Sequence, residues 1–383
     1  MPWKRTDVVD QRIEFVARAV RRGSDVSALC REYVISRTTG YRWINRHLET
    51  GSFADLADRS RRPAKSPTRT DARRQRLVIE LRGRYGWGAR KLQILLRQQG
   101  VDLTVVTINR ILKRNGLVKR EDRHARATRR FQRERPNELW QMDFKGWYQY
   151  GNRRCYPLSI IDDCSRYALG LYALESTGAQ GVYSGLVRTF RSHGVPEEML
   201  MDHGCPWWST TSGHGLTWLT VELMKQGVGL VYSGVGHPQT QGKVERFNGT
   251  LAAAVRHHGR PGQLRGWQRL FDEFTRDYNE VRPHEALDMG VPAGWYSRSS
   301  RQYQEQPSQW EYATGTTVRR LNTQGCLEYR RRRYFVCEAL AGERVALEEA
   351  SGKVLVSYRH MYIREIDPVL GSTRALVLPR TKT

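Results

Sequence analysis

The sequence predicts a multidomain chain with all-α units in its N-terminal part, a mixed α/β sheet at its centre and a small β-barrel near its C-terminal end. Three observations support this prediction. The length of 383 residues exceeds what one domain of ordinary size needs. Arg-rich stretches without an apolar period interrupt the chain at residues 59–74 and 120–136. Between and before them the apolar residues follow a helical period, whereas after Glu138 they follow the spacing of strands.

The charge of the chain predicts a polyanionic partner. Lys and Arg number 64 against 39 Asp and Glu, a formal net charge of +25. Such a surface repels itself unless a partner neutralises it, and added acids would serve solubility better. The charge favours nucleic acid over an anionic membrane surface. In addition, no segment approaches the ~20 apolar residues of a membrane span. Six cysteines without any CxxC pair, and the lack of an apolar secretory signal, predict a reducing cytoplasm.

The first 50 residues predict helices that bind DNA. After an apolar stripe at helical spacing from Val9 to Val20, a short helix is predicted at residues 27–33. A tight turn follows, and Ser36 can cap a second helix with short polar and basic side chains. Two short helices across such a turn form the helix-turn-helix arrangement. The predicted DNA contacts here are Ser36, Arg37, Thr38, Thr39, Tyr41, Arg42 and Arg46.

A second unit of the same kind is predicted over residues 75–119, where Thr104 can cap a basic helix. Two such units in tandem indicate DNA binding more strongly than one, because a single helical hairpin with a basic face is common. The predicted DNA contacts of this unit are Thr104, Thr107, Asn109, Arg110 and Lys113.

From Glu138 the pattern predicts three strands joined by turns at residues 151–152 and 163–165, followed by alternating helices and strands. Helices that alternate with strands predict a mixed sheet covered by helices. Beyond residue 315, short strands separated by Gly turns predict a small barrel that carries Arg330, Arg331, Arg332 and Arg333 as phosphate contacts. The tail after Pro368 is predicted to be disordered.

Three carboxylates border apolar surface in the predicted core. Asp143 alternates with the apolar residues of its strand, and Asp202 ends a short apolar strand, where ligands tend to bind. Glu245 lies beside the apolar face of a helix, and its i±3 and i±4 neighbours include no cation. A divalent metal held by all three would explain this placement, because Mg²⁺ prefers carboxylate and phosphate oxygens. Two such ions promote in-line phosphoryl transfer.

Other charged residues near these acids have more modest predictions. Asp162 and Asp163 are rival ligands, but they fall where a strand gives way to a turn, so a structural role is favoured. Lys243 and Arg246, which flank the helical acid, are predicted to contact DNA, Lys243 through a phosphate. His284 is predicted to be structural.

Five stretches, in order WQMDFKG, SIIDDCSRYALG, MDHG, GHPQTQGKVERFNGTL and DYNEVRPHEAL, closely resemble the catalytic core of bacterial insertion-sequence transposases of the DDE class, relatives of retroviral integrases. The resemblance spans residues 75–298 and implies a ribonuclease-H-like α/β fold. It implies that Asp143, Asp202 and Glu245 are the catalytic triad and hold two Mg²⁺ or Mn²⁺ ions. It also implies that water cuts at the element end and that the exposed 3′-hydroxyl attacks another phosphodiester, without a covalent protein–DNA intermediate.

The resemblance also implies the partners. These are double-stranded DNA, as the terminal inverted repeats of the element and as target DNA, and further copies of the chain. Joining two ends needs two active sites, so a homo-oligomer is expected, a dimer or a tetramer on DNA, with no membrane partner. Two departures stand out. CPWWSTTSGHG lengthens the interval after Asp202, and the His/His/Cys/Cys zinc module of retroviral integrases is absent, so end recognition should rest on the helix-turn-helix units.

Two alternatives remain open from the sequence. A DNA-binding regulator derived from a transposase would bind DNA without catalysis and would be indifferent to Asp143→Asn. A metal-dependent nuclease would cut without joining. The predicted domains are a helix-turn-helix DNA-binding domain at 1–58, a basic linker at 59–74, a second helix-turn-helix domain at 75–119, a basic linker at 120–136, a ribonuclease-H-like catalytic core at 137–298, a linker at 299–315, the small β-barrel at 316–367 and the tail at 368–383.

Overall fold

The computed structural model describes residues 7–58, 70–118, 132–209, 215–233 and 241–379. The chain divides into two compact units, Met1–Asp71 and Ala72–Thr383. The division falls within the first predicted linker. Most of both predicted linkers, residues 59–69 and 119–131, lies outside the described residues. In the described segments no helix is long and apolar enough to cross a membrane.

The first unit contains the predicted helix-turn-helix. Its helices are α1 (Val8–Ala19), α2 (Val26–Glu32) and α3 (Arg37–Thr50), and a 3₁₀ turn follows at Phe53–Leu56. The predicted cap is confirmed, because the Ser36 hydroxyl accepts the N–H of Thr39 at 3.1 Å. Gly40 lets α3 lie close to α2, since a Cβ there would come within 2.5 Å of the Cys30 sulfur. The buried Trp43 helps to form the core between the helices.

The second unit begins with a similar group of helices, α4 (Ala72–Tyr85), α5 (Ala89–Gln98) and α6 (Val105–Arg114). Thr104 caps α6 as predicted, accepting the N–H of Thr107 at 3.2 Å. Leu92 of α5 and Ile108 of α6 are fully buried in the core of this group. Both predicted pairs of helices across a turn are therefore present.

The central sheet has six strands with helices between and after them. The elements are β1 (Leu139–Phe144), β2 (Tyr148–Tyr150), β3 (Arg153–Asp162), β4 (Ala168–Leu174), α7 (Ala179–His193), β5 (Glu198–Met201), α8 (Trp218–Lys225), β6 (Gly229–Tyr232), α9 (Gly242–His258) and α10 (Leu264–Arg276). The strand order is β2-β3-β1-β5-β6, with β4 on the other edge of β3. β3 is antiparallel to its neighbours, whereas β1, β5 and β6 run parallel. The predicted mixed sheet is confirmed.

The first strand of this sheet differs from the prediction. The sequence predicts three strands before α7, but the structure has four, because the chain breaks between β1 and β2. Gly146 lies in this break with a φ of 93°, a conformation that glycine adopts easily.

The two faces of the sheet are covered by different helices. Trp140 and Met142 of β1 pack in a cluster with side chains of α7 and α8. Ile161 of β3 packs with Phe247 of α9 and Trp267 of α10. Residues of β1 that alternate with Trp140 and Met142 therefore face α9, which is the side on which the candidate site lies.

The C-terminal strands form an open sheet, so the predicted barrel is wrong for the described residues. The strands are β7 (Thr317–Arg320), β8 (Cys326–Tyr329), β9 (Arg332–Phe335), β10 (Arg344–Ala350), β11 (Lys353–Tyr358), β12 (Met361–Asp367) and β13 (Ser372–Pro379). Five pair in the order β13-β12-β11-β10-β7, and β8 and β9 form a separate hairpin. The sheet has no need to close on itself, because Val356 and Ile363 share one core with Leu223 of α8.

The prediction for the tail is also corrected. The tail after Pro368 is not disordered throughout, because β13 pairs with β12 from Ser372 onward. The predicted linker 299–315 lacks helices and strands but is fastened to the core, since the Arg301 guanidinium donates to the carbonyl of Gly227 at 2.7 Å.

Candidate active site

The three predicted acids lie on elements that meet at one edge of the sheet. β1 pairs in parallel with β5 in a register that sets Leu139 opposite Glu198. The same offset brings Asp143 to the level of Asp202, on strands about 4.8 Å apart. α9, which carries Glu245 in its first turn, packs across β1 and β3.

α9 is held to the sheet by hydrogen bonds from its first two turns. The side-chain oxygen of Gln141, which is fully buried, accepts the N–H of Val244 at 3.1 Å. The Asn248 amide donates to Asp143 at 3.0 Å, and its oxygen accepts the Ser159 hydroxyl at 2.7 Å. Ser159 is the cross-strand partner of Asp143, so the same two strands orient the amide and the carboxylate.

Asp143 is half-buried and surrounded by like charge. Burial, together with the charges of Asp202 and Glu245, raises its pKa to about 6. Hydrogen bonds from Phe144 and Asn248 lower the pKa in opposition. The carboxylate therefore has fewer stabilising donors than its charge requires, which is the condition that a bound cation would relieve.

Asp202 is oriented by the residues that follow it. Its Oδ1 accepts the indole N–H of Trp207 at 2.6 Å and the N–H of Gly204 at 2.9 Å. Trp207 is itself buried, stacks on Phe144 at 5.5 Å and accepts the Tyr232 hydroxyl through its carbonyl. The stretch that lengthens the interval between the second and third acids thus begins by holding the second acid in place, although its residues 210–214 lie outside the described residues.

Glu245 is exposed in the first turn of α9. Among the described residues no ion pair or hydrogen bond reaches its carboxylate, in agreement with the absence of an intrahelical cation in the sequence. A negative charge is favourable in this turn because of the helix dipole. The side chain is therefore free to turn toward a ligand.

The donor set suits a hard divalent cation, but the carboxylates are not already gathered around one point. All three are oxygen donors of the kind that Mg²⁺ and Mn²⁺ accept. In the part of the chain that the structure describes, however, no group of three His, Cys, Asp or Glu side chains lies close enough to hold a metal.

The rival acids Asp162 and Asp163 have the structural surroundings that the sequence favours. Both are fully buried. Asp162 accepts the N–H and hydroxyl of Ser165, each at 2.7 Å, and the N–H of Asn137. Asp163 accepts Gln141 at 2.7 Å and pairs with the ammonium of Lys243.

Lys243 does not present a free ammonium for a DNA phosphate in this structure. Its side chain is 14% exposed and lies on Asp163. Burial lowers its pKa to about 8, while Asp163 opposes that shift. The pair ties the start of α9 to the end of β3, which helps to position Glu245.

The predicted DNA contacts on the two helical units divide into exposed and engaged side chains. Ser36 bonds Thr39 at 2.9 Å and Thr104 bonds Thr107 at 3.0 Å, so these hydroxyls serve the caps. Arg46 donates to the carbonyl of Ala57 at 3.0 Å. The exposed members are Arg37, Thr38, Tyr41, Arg42, Asn109, Arg110 and Lys113, and Arg246 of α9 is exposed as well.

The arginine run lies on the separate hairpin. Arg330 and Arg331 form its turn with φ of 48° and 60°, values that Asn and Gly adopt more readily. Arg332 and Arg333 begin β9, and all four side chains are exposed. Arg330 lies 3.3 Å from the carboxylate of Glu349.

The sequence did not single out three residues of the site. Gln141, Asn248 and Trp207 hold the acids or their helix. In the sequence, Gln141 shares the strand face of Asp143, and Asn248 follows Glu245 by three residues on the same side of the helix. Those face assignments were the available signal, since a polar residue on the same face as a functional acid is placed to orient it.

Family models match most of the described chain. Two models described as integrase core domains match residues 133–229 and 226–292. A helix-turn-helix domain matches residues 11–64, and a homeodomain-like domain matches residues 39–112.

Individual relatives agree with these models. The chain is 26% identical over 224 residues to the insertion element IS407 uncharacterized 31.7 kDa protein of Burkholderia multivorans, covering 57% of this chain and 78% of the relative. It is 28% identical over 191 residues to the transposase for transposon Tn552 of Staphylococcus aureus, covering 43% of this chain and 38% of the relative. A solved HTLV-2 integrase catalytic core in complex with magnesium is similar at 14% identity and a TM-score of 0.33, covering 42% of this chain and 97% of that one.

Proposed function

We propose that this chain, an insertion-sequence transposase of the retroviral-integrase-like class, uses Asp143, Asp202 and Glu245 to cleave element ends and to join them to target DNA. One observation carries this assignment. Asp143 is half-buried at the level of Asp202, and the charges of both other acids act on it. Three acids in mutual repulsion within a chain of charge +25 are best explained by a shared cationic ligand.

The proposed ligand is a pair of Mg²⁺ or Mn²⁺ ions held by the three carboxylates. When bound, such ions supply activation of the attacking oxygen and stabilisation of the leaving oxygen in phosphoryl transfer. Asn248 keeps one oxygen of Asp143 in place, and Trp207 does the same for Asp202. The remaining oxygens, with Glu245 on its helix turn, face the ligand and the DNA.

DNA recognition is assigned to the exposed residues of the two helical units. Arg42 of α3 and Arg110 of α6 are two of the predicted basic side chains that remain exposed. The proposed partners are the terminal repeats of the element and the target DNA. Because two ends must be joined, the active complex is proposed to be a dimer or tetramer on DNA, and a light-scattering mass that showed an active monomer would remove this part.

A regulator that binds DNA without catalysis is the competing function. One observation favours it, since no three acidic, His or Cys side chains in the described segments already form a metal site. The two functions differ in their response to loss of a carboxylate. The regulator keeps its DNA binding and has no joining activity to lose.

Strand transfer by wild type and Glu245→Gln tests the choice. Labelled DNA that carries the element end is incubated with Mg²⁺ or with EDTA. Joined product that appears only for wild type with metal supports the transposase with Glu245 in its site. Glu273→Gln, which neutralises an exposed acid on α10, is the matched control and should join like wild type. Equal DNA binding by wild type and Glu245→Gln, without joining under any metal, would favour the regulator.

A further inference from the structure

A second group of charged side chains lies where the helices α4–α6 meet the central domain. Lys91 belongs to the first turn of α5, and Arg282 follows the π-helical segment Asp277–Val281 that extends α10. Arg246 belongs to α9. Val281, beside Arg282, packs against the core of α4–α6, and the ring of Phe247, beside Arg246, lies 4.8 Å from the ring of Tyr278 in the π-helical segment. These contacts bring the three cations to the same region, and the charges of Arg282 and Arg246 both act on Lys91.

Two of these cations are half-buried without a partner. In the described part of the chain, the side chains of Lys91 and Arg282 make no hydrogen bond and no ion pair. The guanidinium carbon of Arg282 lies 5.3 Å from the centre of the Trp87 ring, which covers it without offering an anion. The acid whose charge acts on Lys91 is Glu285, which is exposed and lies 3.8 Å from Arg90 instead.

This arrangement is unfavourable as it stands. Burying a charge without a counter-charge is costly. Burial, together with the charges of the neighbouring arginines, lowers the pKa of Lys91 to about 7, while Glu285 opposes them. The first turn of α5 also has Arg90 and Lys91 where the helix dipole disfavours cations, and its N-cap Gly88 has no capping side chain. One anion at this place would relieve all of these effects.

We infer that Lys91, Arg282 and Arg246 bind one phosphate of the DNA backbone and thereby position the strand beside the first turn of α9. Guanidinium and ammonium groups are the donors that proteins use for phosphate. Arg246 is exposed and directly follows Glu245, so it continues the group toward the proposed catalytic acids. The inference rests on the proposed function, because the phosphate is taken to belong to the DNA that reacts there.

DNA binding without divalent metal, measured against salt concentration, tests the inference. Lys91→Gln removes one phosphate contact, so the fall in affinity between 50 mM and 200 mM salt should become about 3- to 4-fold smaller than for wild type. Lys91→Arg keeps the charge and should retain the wild-type salt dependence. Arg269→Gln neutralises an exposed arginine of α10 outside the group and should leave the slope unchanged.

Thermal unfolding separates a binding role from a structural one. In chloride, Lys91→Gln should melt at least as high as wild type, because it removes a buried charge without a partner. Inorganic phosphate at equal ionic strength should raise the melting temperature of wild type but not of Lys91→Gln. A lower melting temperature with an unchanged salt slope would show that Lys91 is structural and overturn the inference. Stabilisation by phosphate with an unchanged DNA slope would overturn the assignment to DNA.

The outcomes for this group and for the active site are separable, because the binding measurements contain no divalent metal. If wild type joins DNA and Lys91→Gln binds with an unchanged slope, the phosphate contact fails while the transposase function stands. If the affinity of Lys91→Gln depends less on salt, by about one unit in the slope of log affinity against log salt concentration, and wild type never joins DNA, the phosphate contact stands and the catalytic proposal fails.

Discussion

Two groups of aspartates on the same sheet have opposite surroundings. Asp162 and Asp163 are fully buried, and their oxygens are occupied by N–H, O–H and ammonium donors. Asp143 is less buried but has one side-chain donor, Asn248, and two like charges near it. The first group has what buried charges need for stability. Asp143 lacks it, and we propose that this difference distinguishes acids that hold the fold from an acid left open for a ligand.

The largest expected effect is the loss of strand transfer in Asp143→Asn. Removing one carboxylate should lower the rate by at least about 10²–10³-fold, because the developing charge of the reaction loses its electrostatic support. Joined product with Mg²⁺ measures this. Asp288→Asn is the matched control, since Asp288 is exposed with a φ of 50°, a conformation that Asn also tolerates. Full activity of Asp143→Asn would mean that the open acids are not the reactive ones.

The same variant should be more stable than wild type. The pKa of Asp143 is about 6 in the fold against an ordinary value of 3.8, so its ionised form is disfavoured there. This penalty is absent below pH 3.8 and complete once the pH has risen through 6. In EDTA at pH 7.5, Asp143→Asn should gain about 1–3 kcal/mol of unfolding free energy, and near pH 3.5 the two proteins should agree. A less stable variant at pH 7.5 would contradict the comparison.

For the buried and hydrogen-bonded Asp163, loss of the carboxylate should lower the free energy of unfolding instead of raising it. Asp163→Asn leaves the buried Lys243 without its counter-charge, so it should lower the unfolding free energy by about 3 kcal/mol. Denaturant titration measures the loss. Combining it with Lys243→Met should recover part of the stability, because the double variant no longer buries an unpaired ammonium. Additive losses in the double variant would show that the two side chains do not depend on one another.

A smaller effect on strand transfer is expected from the loss of the hydrogen bond between Asn248 and Asp143. Asn248→Ala removes the amide that holds Asp143 and should reduce strand transfer about 10- to 100-fold. Because this hydrogen bond lowers the pKa of Asp143, its loss should also move the acid limb of the pH–rate profile upward. Ser159→Ala removes only a hydrogen bond to Asn248. It should therefore change the strand-transfer rate and the acid limb in the same directions, but by smaller amounts. A fall in activity without any movement of the acid limb would argue against this role for the amide.

The smallest effect is expected in the first helical unit, where an exposed arginine can be compared with a hydrogen-bonded one. Arg42 is exposed, whereas Arg46 is engaged with the carbonyl of Ala57. Arg42→Ala should weaken binding to the element end by about 1–3 kcal/mol without changing stability, if it reads a base. Arg46→Ala should instead lower stability by about 1 kcal/mol. Footprinting and thermal unfolding distinguish them, and a reversed pattern would show that engagement in this structure does not predict function.

Local features were predicted well because their causes are local. Ser36 and Thr104 cap their helices as expected, since a cap needs only one side chain and the N–H groups of the next turn. The face of Asp143 follows from the alternation of its strand, and Asn248 of α9 meets it there. The prediction of one strand where the structure has β1 and β2 is wrong for a local reason too. The composition of this stretch is continuous, but Gly146 breaks the chain between the two strands.

The wrong predictions concern how the C-terminal strands pair and pack against the rest of the protein. Short strands with Gly turns are compatible with a barrel and with an open sheet, and the core shared with α8 decided for the open sheet. β13 exists because the edge of β12 is available to pair with it.

The sequence by itself determined the mixed sheet, the two capped helix pairs, the basic charge and the three acids beside apolar surface. Only the tertiary structure decided that Lys243 lies on Asp163, that Trp207 holds Asp202, and that Lys91 and Arg282 are left without an anion. The physical reason is that periodicity specifies local hydrogen bonding and the apolar face of each element. The partner of a buried charge is set by residues brought together from distant parts of the chain.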